Sequence, residues 1–241
     1  GLAAIPRGTW DGSPKATLDP ARPNHVFLIG YPRSGTTLVE NVLASLPGVA
    51  ALEERPTLAA ADHAYLMGDP GEIGAGLAEF AVLDCTTLDT LAKAYWDKVA
   101  AAGVPADARH LVDMDPLKGT RLPFIARLFP AAKVVVMRRD PRDVVWSCFK
   151  TNFAATSGTL EYTTLERAAQ HYDALMRLTD LALAALPLSV FELDYRALVR
   201  DFDATTRALC QFTGNPWSDE VRRFDRTAQL RVREVGAPAL G

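Results

Sequence analysis

Cysteine and histidine are scarce in this chain, and long apolar runs are missing. The three cysteines, Cys85, Cys148 and Cys210, are scattered without metal-ligand spacing. An odd count with no pairing pattern gives no disulfide framework. It points to reduced thiols in a cytoplasmic setting. No apolar run approaches the length of a membrane span, so none is expected. Residues 1–23 hold glycine, proline and charges but no apolar signal core. They read as a lead-in or linker, and the missing initiator methionine suggests a cut from a longer chain. Cationic excess is absent too: a net charge of −3 argues against a general nucleic-acid surface. Repeats and low-complexity tracts are absent. What remains is 241 residues, 49% hydrophobic, enough for one α/β domain with a full core, here residues 24–241.

The most informative stretch is Gly30-Tyr31-Pro32-Arg33-Ser34-Gly35-Thr36-Thr37. It follows the apolar run His25 to Ile29, which reads as a buried parallel strand. It precedes Leu38, Val39, Val42, Leu43 and Leu46, spaced as one face of a helix. Strand, glycine-bounded loop and helix together make a phosphate-site hypothesis, because helix N-termini favour anions. The plain structural reading is a strand-to-helix turn with Ser34 as its cap. One residue is missing from a nucleoside-triphosphate loop: Thr36 stands where the lysine of G-x-x-x-x-G-K-[ST] belongs. That lysine reaches the β- and γ-phosphates. The implied ligand therefore carries a terminal monophosphate or mixed anhydride, with no obligatory metal.

The remaining pattern gives the architecture. His110 to Met114, Lys133 to Met137 and Leu188 to Leu193 read as strands. Residues 50–58 connect the first helix to a helical stretch beginning near Ala59, and 77–102 are read as mostly helical. Further helices cover 122–129, a long amphipathic stretch from Leu165 to Thr179, and 204–212, the last stopping near Gly214 and Pro216. Strands alternating with helices imply an α/β fold, a P-loop-like three-layer α/β/α sandwich around a central parallel sheet. Ligands of such sheets bind outside the carboxyl ends of the strands.

A second motif follows the strand Lys133 to Met137: Arg138-Arg139-Asp140-Pro141-Arg142-Asp143-Val144-Val145-Trp146-Ser147. Structurally it is a helix start, with Asp140 capping and Pro141 in the first turn. Taken with P-R-S-G-T-T after the first strand, it resembles sulfotransferases that use 3′-phosphoadenylyl sulfate (PAPS). The resemblance runs from His25 onward. It is nearest to bacterial members related to tyrosylprotein sulfotransferase, often found attached to tetratricopeptide repeats. It implies that Arg33, Ser34, Gly35, Thr36 and Thr37 hold the 5′-phosphosulfate and that Arg139 and Ser147 hold the 3′-phosphate. Asp194-Tyr195-Arg196-Ala197-Leu198-Val199 resembles the family's Y-E-x-L-V segment and adds Tyr195 to the cofactor site, although Arg196 replaces the usual acid. Thr227 to Arg233 resembles the family's T-A-S…Q-V-R segment, with Gln229 in place of its serine. The family's basic carboxyl-terminal segment closes over the cofactor. This chain stops at Gly241, so closure is expected to be incomplete.

Pro47-Gly48-Val49-Ala50-Ala51-Leu52-Glu53-Glu54-Arg55 resembles the P-x-V-x-x-x-E-E segment of the tyrosylprotein branch, which makes Glu54 the general base. A hydroxyl attacking sulfur must lose its proton, and a placed carboxylate takes it. The plain alternative is a solvated acidic pair. A histidine base is the rival. His25 and His110 begin strands away from the site, His171 falls on the polar face of its helix, and His63 alone lies in the substrate region. In the family's V-D-K-x-P run, Met114 stands at the lysine position, and Lys118 is the nearest substitute cation.

The implied activity is transfer of a sulfuryl group from PAPS to a hydroxyl or amine acceptor, releasing adenosine 3′,5′-bisphosphate (PAP), with no metal. Small-molecule, glycan and peptide acceptors all remain open, and specificity would lie in 58–108 and 151–162. Two other readings stand beside it. A P-loop-related kinase or hydrolase needs the missing lysine. A PAP-binding module weakened in catalysis is suggested by Met114.

Overall fold

A computed structural model describes residues 10, 14–151, 153, 159–229 and 231–232, with side chains as far as Phe224. The Thr227 to Arg233 resemblance, and much of the stretch 151–162, therefore lie outside the described side chains.

β1 (Asn24–Ile29) leads through the glycine loop into α1 (Thr36–Ala44). β2 (Val49–Glu53), α2 (Ala59–Tyr65), α3 (Pro70–Phe80) and α4 (Cys85–Ala101) follow. After β3 (His110–Met114) come a 3-10 turn (Pro116–Arg121), α5 (Leu122–Leu128) and β4 (Lys133–Arg138). α6 (Pro141–Lys150), a 3-10 turn (Thr159–Tyr162), α7 (Leu165–Ala185) and β5 (Ser189–Asp194) continue the alternation. α8 (Tyr195–Arg200), α9 (Phe202–Thr213), a 3-10 segment (Asp219–Gln229) and the edge strand β6 (Arg231–Val232) end it.

The strands form one sheet in the order β5-β4-β1-β3-β2-β6, and every pairing is parallel. β1 is central because both of its faces are apolar. Val26 and Leu28 pack with Val39, Val42 and Leu43 of α1, Leu198 of α8 and Leu209 of α9. Phe27 and Ile29 face the opposite layer, with Phe80, Leu88, Tyr95 and Phe124. The expected three-layer α/β/α architecture with a central parallel sheet is what the chain forms. β1 lies between β3 and β4, so chain connections leave it in opposite directions, and a crevice opens at the carboxyl ends.

Two elements differ from expectation. Residues 50–53, read as part of a connection, belong with Val49 to strand β2, paired with β3 from Val49↔His110 to Glu53↔Met114. The stretch 77–102 is two helices rather than one. The break at 81–84 is made by Asp84, whose carboxylate accepts from Thr87 N at 2.8 Å and starts α4. The described part of the lead-in lies against the domain: Ala16 N donates to Arg127 O at 2.9 Å, and Thr17 reaches Asp89 twice.

Candidate active site

The glycine loop is shaped by close approach. A Cβ on Gly30 would stand 2.9 Å from the Met137 carbonyl oxygen. Gly35 has φ +106°, and a Cβ there would be 2.8 Å from the Tyr195 ring, so glycine is required at both positions. Ser34 does not cap α1. It closes the loop on itself, its N–H donating to Tyr31 O at 3.0 Å and its Oγ accepting from Tyr31 N at 3.4 Å. Gly35 is the N-cap, with no side-chain cap and no acid in the first turn. The first N–H groups of α1 thus have no side-chain acceptor and face the crevice end of the sheet, where an anion fits.

The second motif closes on the first. Arg33 Nε donates to Ser147 Oγ at 3.1 Å, and Arg139 Nη1 donates to the Arg33 carbonyl at 3.0 Å. The Arg139 guanidinium lies 4.5 Å from the centre of the Tyr195 ring, whose edge packs on Gly35. Arg33, Gly35, Arg139, Ser147 and Tyr195 are therefore brought together, although they come from three separated segments. Thr37 is exposed at the start of α1, and Thr36 is buried beneath it. Arg139 Nε lies 3.8 Å from the Asp143 carboxylate. A hollow of about 370 Å³ beside them is lined by Arg139, Trp146, Ser147 and Lys150.

Asp140 caps α6 as expected, accepting from Arg142 N at 3.0 Å. Bonds from Arg142 and the Arg196 charge hold its carboxyl down at about 2. Arg196, the departure from the family's acid, is paired with Asp140 at 2.8 Å. It ties α8 to α6 and so helps fix Tyr195.

Glu54 leaves the end of β2 in a left-handed conformation, φ +50°, with its N–H donating to Met114 O at 2.7 Å. Local burial, then the neighbouring charges of Asp115 and Glu53, push its carboxyl above the ordinary range. Asp115 is itself raised by burial. The Glu54 charge also acts on Tyr162, whose phenol is pushed up to about 12, mainly by burial. Tyr162 packs edge-on against Tyr31 of the loop, ring centres 6.3 Å apart.

The histidines do not fall where the pattern put them all. His63 is exposed on α2. His25 and His110 sit at strand starts, at the opposite end of the sheet from the loop, as expected. His171, read as polar-face, is half-buried, its Nδ1 2.6 Å from the Tyr31 hydroxyl. It backs the glycine loop. Lys118 does not replace the lysine missing at Met114. Met114 is fully buried, and Lys118 is buried too, paired with Asp113 at 2.5 Å.

Tyr162 and Asp115 are residues that the sequence pattern gave no role, and Tyr31 and His171 were named without their contact with each other. Asp115, next to Met114 in the V-D-M-D-P run, carried a readable signal.

Comparison with known proteins gives the family and the fold. The model described as "Sulfotransferase family" matches residues 23–219, which include Arg33, Glu54, Arg139, Ser147 and Tyr195. An uncharacterized protein of Aquifex aeolicus is 31% identical over 214 residues, 84% of this chain and 27% of that protein. Protein-tyrosine sulfotransferase 1 of Danio rerio is 29% identical over 206 residues, 81% of this chain and 54% of that protein. The chain thus spans from about a quarter to half the length of these relatives. The sulfotransferase domain of the Synechococcus PCC 7002 olefin synthase has the same fold. Its TM-score is 0.54 at 22% identity, over 93% of this chain and 84% of that one. With residues 23–219 matched, most of its length, the chain belongs to the sulfotransferase family.

Proposed function

We propose that the chain is a PAPS-dependent sulfotransferase domain, residues 24–241, acting on a hydroxyl acceptor in the cytoplasm without a metal ion. The observation that carries this reading is the meeting of Arg33, Arg139, Ser147 and Tyr195 at the carboxyl ends of β1 and β4. Two anionic groups fit there, one at the uncapped start of α1 and one beside Arg139.

When bound, PAPS supplies the sulfuryl group and departs as PAP. Arg33, Ser34, Gly35, Thr36 and Thr37 surround the 5′-phosphate, where charge grows as its bond to sulfur breaks. Arg139 and Ser147 hold the 3′-phosphate, and Tyr195 completes the cofactor site. Glu54 accepts the hydroxyl proton as the acceptor oxygen bonds to sulfur. One S–O bond forms, one breaks, and the proton ends on the carboxylate. Its raised proton affinity suits a base working nearer neutral pH. Among acceptors, the naming of relatives as protein-tyrosine sulfotransferases favours a tyrosine phenol in a peptide.

A second reading, a PAP-binding module weakened in catalysis, is favoured by the burial of Met114 and the engagement of Lys118. One experiment separates them. Transfer from PAPS is measured against a panel holding a tyrosine peptide, a simple phenol, a sugar and an alcohol, with chelator present. The first reading predicts turnover with at least one acceptor. Tight PAP binding with no turnover on any of them favours the second.

A further inference from the structure

Under the sheet, on the face covered by α4, His25, Thr57, Tyr95, Asp113 and Lys118 form a closed polar network. None is more than 8% exposed. Lys118 Nζ donates to Asp113 Oδ1 at 2.5 Å, Thr57 Oγ1 at 3.1 Å and the Arg55 carbonyl at 3.4 Å. Thr57 Oγ1 and the Tyr95 hydroxyl both donate to Asp113 Oδ2, at 2.8 and 2.9 Å. With its proton so committed, Tyr95 accepts from His25 Nε2 at 2.6 Å. The bonds around Asp113 are consistent with Lys118 and Asp113 charged and His25 neutral, its proton on Nε2 and its Nδ1 buried without a hydrogen-bond partner.

A buried ion pair is weak support for stability, because apolar packing would serve as well. Its outer end suggests another use. It ends on Arg55 and Thr57, directly after Glu54. A non-glycine residue at φ +50° is held only where its surroundings over-determine it. Upstream, Glu54 is fixed by β2–β3 pairing and by its bond to Met114 O. Downstream, Arg55 O is held by Lys118 and by Thr57 N at 2.8 Å, while the Thr57 hydroxyl enters the ion pair.

We propose that the Asp113–Lys118 pair, acting through Thr57, is the positioning device for Glu54, so that Lys118 serves the reaction from beneath the sheet rather than as a ligand of the phosphosulfate. The proposal rests on the reading of Glu54 as the base. The titratable groups facing that carboxyl are Glu53, Asp115 and Tyr162. Lys118, Asp113 and Arg121 in turn face Asp115.

The test uses Thr57→Val, which keeps shape and removes the hydroxyl, with Thr57→Ala as a second variant and Thr57→Ser as the conservative control. Glu54→Gln is measured alongside. We expect Thr57→Val and Thr57→Ala to lower kcat by about 10- to 100-fold, the effect of a small misplacement. PAP affinity should hold within about twofold, since the phosphate contacts are elsewhere. The acid limb of kcat should move to lower pH, because a loosened carboxyl regains water. Thr57→Ser should recover most of the loss. If Glu54→Gln leaves transfer intact, the base assignment falls and the positioning role with it. If Glu54→Gln abolishes transfer while either folded Thr57 variant keeps the wild-type kcat and acid limb, the positioning role alone is overturned.

Discussion

On the side proposed for the nucleotide, Arg33 and Arg139 lie just past the carboxyl ends of β1 and β4 and Ser147 lies on α6, the helix that follows β4, and polar contacts join Arg33 to both of the others. On the side proposed for the base, the groups around Glu54 come from all over the chain: Met114 beneath its N–H, the Asp113–Lys118 pair beyond Arg55, Tyr162 and Asp115 around its carboxyl. The nucleotide side presents uncapped N–H groups and guanidinium charge to solvent. The base side is partly desolvated and shifted in proton affinity. An anion site can be carried by short contiguous motifs, because strand ends and helix starts supply most of its geometry. A proton acceptor must be tuned and fixed by its surroundings, which are long-range.

The comparison breaks first at Glu54. Glu54→Gln should lower transfer by about 10²–10⁴-fold, the usual contribution of a general base, and leave PAP affinity unchanged. Glu53→Gln, and His63→Asn on exposed α2, should do much less. Transfer rates at saturating PAPS with an unactivated phenol or an alcohol measure all three. A loss confined to His63→Asn would move the base to the histidine.

The nucleotide side should break in two separable pieces. Arg33→Ala should weaken both PAP and 5′-AMP, while Arg139→Ala should weaken PAP and barely change 5′-AMP. Each loss should be about tenfold or more, the equivalent of about 1.5–3 kcal/mol for a charge-assisted contact. Arg139→Ala weakening both ligands equally would remove the 3′-phosphate from its role.

The smallest effect is on stability against pH. Burial holds His25 down at about 3, and lowers His110 and His171 as well. In the unfolded chain these groups protonate near pH 6.5. The unfolded state therefore binds more protons below that pH, and stability falls as pH falls from about 6.5 toward 3. Each neutral histidine contributes a slope of at most about 1.4 kcal/mol per pH unit. The raised carboxyls of Glu54 and Asp115 act in the opposite sense, since they take up protons earlier in the folded state. Urea unfolding at pH 7.5 and 5.5 should show wild type losing more stability than His25→Gln. Equal losses would mean that His25 is not held neutral by the fold.

How much of this was legible follows the same division. β1, β3, β4 and β5 are apolar runs that stand out, and Asp140 and Pro141 announced α6. β2 was hidden because Val49-Ala50-Ala51-Leu52-Glu53 is short and carries two alanines, which have little strand preference of their own. Pairing with β3 makes it a strand. The break between α3 and α4 was masked by Ala81, Val82 and Leu83, which continue the helical apolar pattern. Asp84 was the available cap signal. In the candidate site, the two motifs proposed to hold phosphate are contiguous text. The contact of His171 with Tyr31 spans 140 residues and leaves no local trace. Lys118 reads as a free cation until the fold places Asp113 beside it.

The most direct test of the account is calorimetric titration of the protein with PAP, 5′-AMP and ATP in the absence of magnesium. Thr36 in place of the loop lysine, with Arg33, Arg139 and Ser147 joined at one crevice, predicts that PAP binds most tightly. Its margin over 5′-AMP should be about tenfold or more, the worth of one charge-assisted phosphate contact. Equal affinity for PAP and 5′-AMP, or tighter binding of ATP, would contradict the two-phosphate site on which the functional reading stands.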